Sequence, residues 1–293
     1  MTNVTIYESP EREEYQRKFV YRKTKTAYWD YRSTSESTHT IIFIHGFRGN
    51  HFGLLKIVTE LPQYRIIVPD LPGFGLSERL PEEQNSAGYV HYLDALIEHL
   101  KLDEAPDLLG HSFGSVIVSH FAAQYPEKLN KLILVNPIAV TNDKGLNGLL
   151  AKGSVGIFQL SNKAPDMVSS MVMSNPLVVR ALSMKMAKTK DKELRKEIHH
   201  EHDEHFSSYT DKEGLIEAFK SSISENIMDI AHKITNPTLL IVGEKDEIAP
   251  LSSEIRLHYA IKDSQLKVLT DVGHLIHYEK PEEAAEAIAD FVG

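Results

Sequence analysis

Several short, uninterrupted apolar runs divide the chain: Ile41-Ile42-Phe43-Ile44, Ile66-Ile67-Val68, Leu132-Ile133-Leu134-Val135 and Leu239-Leu240-Ile241-Val242. Each is rich in β-branched residues and too short for a core helix, so each reads as a strand buried on both faces. Between them the hydrophobic period lengthens. Tyr89, Leu93, Leu96, Ile97 and Leu100 recur at helical spacing and predict an amphipathic helix over about 86–101. A second periodic stretch, Ser115 to Tyr125, predicts a helix that stops at Pro126. Further helices are expected over His51–Glu60, Ser252–Ile261 and Pro281–Phe291, with Pro281 suited to a first helical turn. Strand-like stretches lie at Gln16–Arg22, Lys25–Arg32, Pro106–Leu109 and Leu266–Leu269, and residues 1–14 read as irregular.

From Thr40 to Asn136 strands and helices alternate, which argues for a parallel α/β sheet. The rhythm then breaks. Pro137 to Lys233 holds no buried-strand pattern and reads as short helices interrupted at Pro165, Pro176 and Gly214. Alternation resumes at Pro237. The expected organisation is a core over residues 1–136 and 233–293, with a helical insertion at 137–232.

Composition narrows the setting. The chain has 293 residues, 42 % hydrophobic and 25 % charged, which is ordinary for a globular protein. A net charge of −9 disfavours nucleic acid or an anionic membrane as an obligatory partner. No apolar run approaches the roughly 18 residues of a membrane span. There is no cysteine, hence no disulfide and no thiolate metal site. With Met1 to Val20 lacking an apolar signal core, a cytoplasmic location is expected. Nothing in the chain specifies an oligomeric state.

Candidate chemistry gathers where strands end. Gly110-His111-Ser112-Phe113-Gly114 lies between a strand and a helix, the context in which G-x-S-x-G forms a nucleophile elbow. Gly243-Glu244-Lys245-Asp246 and Val272-Gly273-His274 follow two later strands. Loops at the carboxyl ends of parallel strands share one rim of a sheet, so Ser112, Asp246 and His274 are expected to meet there. A serine hydroxyl is too weakly acidic to attack unaided and needs an adjacent base, itself oriented by a third group.

With His45-Gly46-Phe47 and Asp70-Leu71-Pro72-Gly73-Phe74-Gly75-Leu76-Ser77, these motifs make the chain resemble an α/β-hydrolase with a helical cap over about residues 16–293. The resemblance implies an α/β fold with a mostly parallel eight-stranded sheet flanked by helices and an inserted all-helical cap. It implies Ser112 as nucleophile, His274 as general base and acid, and Asp246 as the carboxylate behind it. It also implies an oxyanion hole built from the backbone N–H groups of Phe47 and Phe113. No cofactor or metal is required, and a small-molecule ester is the expected substrate of a serine carboxylesterase. Some family members carry the acid after the strand that ends here at Val135, but this chain has Asn136 there. Glu244 and Asp271 compete with Asp246, and His277 with His274; Glu244 is expected to shape its turn and His277 to pack or meet solvent. Asp70 reads as a structural loop residue.

A serine at the elbow separates the chain from haloalkane dehalogenases and epoxide hydrolases, which use aspartate. A carbon–carbon bond hydrolase acting on a diketone-like product ranks second, because Phe47-Arg48 and Phe113 replace the Gly-rich loop and the methionine common in that branch. Proline iminopeptidase-like enzymes usually show Trp where Phe113 stands. A non-catalytic small-molecule receptor is the alternative of another class.

His45 and His111 are expected to line the pocket. Six of the seven methionines fall in the insertion, and Met167, Met171 and Met184 are candidates for a pliable apolar lining. In the run His199 to His205, His199, His202 and Asp203 share a helical face with metal-like spacing, but a solvated cap helix is the preferred reading.

Overall fold

The computed structural model describes residues 13–35, 39–139, 180, 183–184, 186–205, 209–210 and 212–293. Eight strands form one sheet: β1 (Gln16–Tyr21), β2 (Thr24–Tyr31), β3 (Thr40–Ile44), β4 (Arg65–Pro69), β5 (Asp107–His111), β6 (Leu132–Val135), β7 (Thr238–Gly243) and β8 (Ser264–Leu269). Their order is β1-β2-β4-β3-β5-β6-β7-β8. β1 and β2 pair antiparallel, as do β2 and β4, and the remaining pairings are parallel.

The continuous apolar runs follow from burial on both faces. Ile42, Ile44, Leu132, Leu134, Leu240 and Val242 face one core. The residues between them, Ile41, Phe43, Ile133, Val135, Leu239 and Ile241, face the other. A strand's side chains alternate, so covering both faces removes the polar half of the pattern. The first core is closed by α2 (Ser86–Leu100), α3 (Phe113–Gln124) and α6 (Leu251–Ala260), the second by α1 (Leu55–Thr59) and α8 (Pro281–Val292). A short helix, α7 (Ile276–Glu279), precedes α8. From the segment 137–232, the described helices are α4 (Lys192–His205) and α5 (Lys212–Ser224). Among the described residues no helix is long and apolar enough to cross a membrane.

β3 has β4 on one side and β5 on the other. The chain order therefore reverses direction there, and the loops after β3 and β5 part to leave a crevice at their carboxyl ends. In register, Ile44 pairs with Gly110, His111 with Val135, Val135 with Ile241, and Gly243 with Leu269. The loops after β3, β5, β6, β7 and β8 thus leave one rim of the sheet.

Candidate active site

Ser112 is the hinge between β5 and α3. Its backbone sits at φ 52°, ψ −118°, a region that costs a side-chain-bearing residue about 1–3 kcal/mol. The strain is held by what surrounds it: the Ser112 N–H donates to the Val135 carbonyl at 3.1 Å, and α3 begins at the next residue. The turn is possible because Gly114 lies against the end of β3, where a Cβ would come within 2.2 Å of the Ile44 carbonyl oxygen.

Three side chains form one hydrogen-bonded chain. His274 Nε2 lies 2.8 Å from Ser112 Oγ, and His274 Nδ1 lies 2.7 Å from Asp246 Oδ2. The second oxygen of Asp246 accepts the N–H groups of Ile248 (2.8 Å) and Ala249 (3.0 Å). Burial pushes the Asp246 carboxyl up, but the His274 imidazole and these two donors outweigh it and leave the pKa below the usual carboxylate value. A second carboxyl nearby behaves in the opposite way. Glu254 on α6 is fully buried, and neither of its oxygens has a hydrogen-bond partner of normal geometry among the described residues. Burial, then the charge of Asp246, push it up to about 9, so at neutral pH Asp246 is the ionised member.

Of the competing residues, Glu244 accepts the Asp271 N–H at 3.0 Å and braces its turn, while Asp271 pairs with Lys245 at the surface. His277 packs its ring 4.1 Å from that of His111 and is buried. Asp70 is a loop anchor: it accepts the His51 N–H (2.8 Å), His51 Nδ1 (2.9 Å) and the Leu76 N–H (2.8 Å).

The loop after β3 is set by His45. Its Nε2 accepts the Leu71 N–H at 2.9 Å, so the ring proton sits on Nδ1 and donates to the Gly46 carbonyl at 2.8 Å. Phe47 packs against Phe74 and Phe219, with ring centroids 6.0 and 5.6 Å apart. As the first residue of α3, Phe113 has an N–H with no carbonyl one turn back to receive it. The Phe113 side chain is buried beneath the site, while Phe47 lines its cavity.

Ser112 and His274 open into a cavity of about 320 Å³, at the small end of the roughly 300–1,000 Å³ typical of small-molecule sites. His45 and His111 line it. Of the methionines singled out, Met167 and Met171 lie outside the described residues. Met184 is 57 % exposed and is not part of the lining; Met186 stands there in its place. A residue's neighbour two positions on faces a different way on a helix, and that offset is invisible in composition alone.

The cavity wall differs from side to side. Phe219 and Ile223 of α5, with Phe47, Ile138 and Ile248, make an apolar side. Glu201, His202 and His205 of α4 stand with Asn50 and Tyr278 on a polar one. His205 stacks on Phe52 at 4.1 Å, and His202 lies edge-on to Tyr278 at 5.5 Å. The histidine run of α4 is therefore only partly a solvated face: His200 is exposed, whereas His199 and His202 are not. His199 and His202 are buried and share Ser183 Oγ, at 2.6 and 2.8 Å. Among the described residues no three potential ligands converge as a metal-binding group. Arg48, the residue after Phe47, is also buried in the lining; burial lowers it to about 10, which leaves it protonated at neutral pH. The unusual density of histidine in α4 was the sequence signal for this wall, and Arg48 carried none.

Three buried imidazoles around the cavity, those of His111, His202 and His277, are held neutral. Burial lowers His111 to about 3 and His202 to about 4, and drives His277 well below its ordinary value. Unfolded, each titrates near 6.5. Between the folded and unfolded values the unfolded chain binds more protons, so stability is complete above about pH 6.5 and falls as pH drops through it. Denaturant unfolding at pH 8 and pH 5 is expected to show a loss on the order of 1–2 kcal/mol for each such imidazole. A flat stability profile across that interval would contradict this assignment.

Comparison with known proteins agrees with this architecture. The alpha/beta hydrolase fold family matches residues 39–281. The uncharacterized hydrolase YugF of Bacillus subtilis (strain 168) is 30 % identical over 285 residues, covering 94 % of this chain and 97 % of that protein. The 2-hydroxy-6-oxo-2,4-heptadienoate hydrolase of Pseudomonas putida F1 is 28 % identical over 242 residues, covering 80 % and 81 %. In structure, a thermophilic esterase from Thermogutta terrifontis superposes with a TM-score of 0.75 at 22 % identity, over 94 % of this chain and 97 % of that one. The eight-stranded sheet, the motifs along its rim and these matches together make the chain a hydrolase that belongs to the alpha/beta hydrolase fold family.

Proposed function

We propose that the protein is a serine carboxylesterase that cleaves a small or medium apolar ester through an acyl-enzyme on Ser112. The observation that carries this reading is the relay from Ser112 Oγ through His274 to Asp246, opening into a cavity with an apolar side. His274 Nε2 takes the hydroxyl proton as Ser112 attacks the ester carbonyl. Negative charge develops on the carbonyl oxygen, and the N–H groups of Phe47 and Phe113 receive it, a contribution of about 3 kcal/mol per donor. His274 returns the proton to the departing alkoxide. Water, deprotonated in turn by His274, then releases the acid and restores Ser112. Asp246 holds the imidazole in the tautomer that leaves Nε2 free to accept, and stabilises the imidazolium. Residues 137–232 act in this reading as a cap, with α4 and α5 supplying the roof.

The second reading is carbon–carbon bond hydrolysis, favoured by the similarity to the Pseudomonas putida hydrolase. Its chemistry also begins at a carbonyl carbon, and the same relay would serve it. Phe47-Arg48 after His45-Gly46, and Phe113 after Ser112, favour the ester. A panel of p-nitrophenyl esters of increasing acyl length, run beside a vinylogous diketone acid, separates the two. Turnover is expected to be greatest with short to medium acyl chains and to fall once the chain outgrows the cavity. Diketone cleavage without ester turnover would reverse the assignment, and slow turnover with tight retention of an apolar ligand would favour a receptor.

A further inference from the structure

The three segments that carry Ser112, Asp246 and His274 are all tied to two consecutive residues. Val135, at the end of β6, accepts the Ser112 N–H at 3.1 Å. Asn136 follows it. Its backbone N–H donates to the Ile241 carbonyl in β7 at 2.8 Å. Its carboxamide then spans the next two loops. Oδ1 accepts the Gly243 N–H at 2.8 Å, and Nδ2 donates to the Gly273 carbonyl at 3.1 Å. Gly243 begins the turn that ends in Asp246, and Gly273 immediately precedes His274.

We propose that Asn136 is a positioning residue: its carboxamide bridges the acid-bearing and histidine-bearing loops, and so fixes the His274 imidazole against both Asp246 and Ser112. The proposal rests on the reading of these three side chains as one catalytic relay.

The residue type fits the task. The bridge needs one acceptor and one donor in a single rigid group, because it faces an N–H on one side and a C=O on the other. An ionised aspartate offers acceptors only and would set a charged oxygen against the Gly273 carbonyl. Asn136 is 1 % exposed, so bulk solvent does not reach a partner left unpaired there. The backbone sits at φ 43°, a left-handed conformation that asparagine tolerates better than most residues. The loops are also pressed together here: a Cβ at Gly243 would lie 2.3 Å from the Gly273 carbonyl oxygen.

Other bonds join the same two loops. Glu244 N–H donates to the Leu269 carbonyl at 2.9 Å, and Lys245 N–H to the Val272 carbonyl at 2.8 Å. These tie loop to loop. Asn136 ties both loops to β6, whose last carbonyl holds the backbone of Ser112. Removing its side chain leaves the sheet and those outer bonds in place but frees the His274 loop to shift relative to Ser112. A misplacement of about 1 Å is enough to cost a hundredfold in rate.

Two variants test this. Asn136→Gly keeps the left-handed backbone and deletes the bridge. Asn136→Asp keeps an acceptor for the Gly243 N–H and loses the donor to Gly273. For each, three quantities are measured: kcat and KM on a p-nitrophenyl ester, the thermal midpoint, and the far-downfield proton resonance of His274 Nδ1–H bonded to Asp246. Both variants are expected to fold, to lose about 10–100-fold in kcat with KM within about twofold, and to show that resonance shifted or broadened. Wild-type kcat and an unchanged resonance in both variants would overturn the proposal. So would a loss of activity that only tracks a smaller folded fraction, or failure of both variants to fold, since Asn136 would then serve the fold alone. The resonance is read without substrate, so an inactive wild-type protein would count against the esterase reading and leave the test of Asn136 intact.

Discussion

Replacing Ser112 with alanine is expected to lower ester kcat/KM by at least about 10⁴-fold while leaving the thermal midpoint close to that of the parent protein. The hydroxyl is the atom that becomes covalently bonded, and no other nucleophile stands within the relay. The fold does not depend on it, because Ser112 caps α3 through no side-chain hydrogen bond and is anchored by its backbone N–H to Val135. His274→Ala is expected to cost a similar factor, and the double variant little more, because the pair acts as a unit. Asp246→Asn is expected to cost about 10⁴-fold by a different route. The amide would offer an N–H toward His274 Nδ1 and favour the tautomer whose Nε2 carries the proton, so the ring could no longer accept from Ser112. Steady-state kinetics, with a fluorophosphonate label to count reactive Ser112, checks all three. A folded Ser112→Ala protein that keeps its esterase activity would sink the proposed mechanism.

Gly114→Ala is expected to be strongly destabilising. Its Cβ would lie 2.2 Å from the Ile44 carbonyl oxygen and 2.6 Å from that of His45. Both contacts are to backbone at the end of a central strand paired on each side, so neither neighbour yields cheaply. Relief would require α3 to move away from β3, opening the packing of Val116 and Ile117. The expected cost is about 3 kcal/mol or more, or roughly 10 °C in the thermal midpoint. Activity should fall as well, since the same shift would tilt Ser112 away from His274. A midpoint within a degree or two of the parent would show that the elbow has slack the geometry does not suggest.

Several elements are legible in the sequence alone. The runs at Ile41–Ile44 and Leu132–Val135 are apolar without alternation because both sheet faces are covered, and the structure has them as β3 and β6. The helix expected over about 86–101 is Ser86–Leu100, capped by the Asn85 side chain on the Gly88 N–H. Other expectations failed for a shared reason. A polar stripe such as the α4 histidines ordinarily faces water, yet His199 and His202 face Ser183, and His202 and His205 line the cavity. Composition groups Met184 with the pocket, but its side chain is exposed. Local pattern reports whether a face is polar; it does not report what lies opposite.

By itself the sequence determined the alternation of strand and helix and the residues that end the strands. Those properties are local, set by side-chain period and by the few residues that suit a sharp turn. Tertiary structure alone decided that His274 Nε2 falls 2.8 Å from Ser112 Oγ, that Glu254 is neutral while Asp246 is ionised, and that Asn136 joins the loops of both partners. Each depends on groups far apart in the chain being brought together in a buried interior. There a hydrogen bond, or its absence, shifts a proton that water would otherwise leave in place.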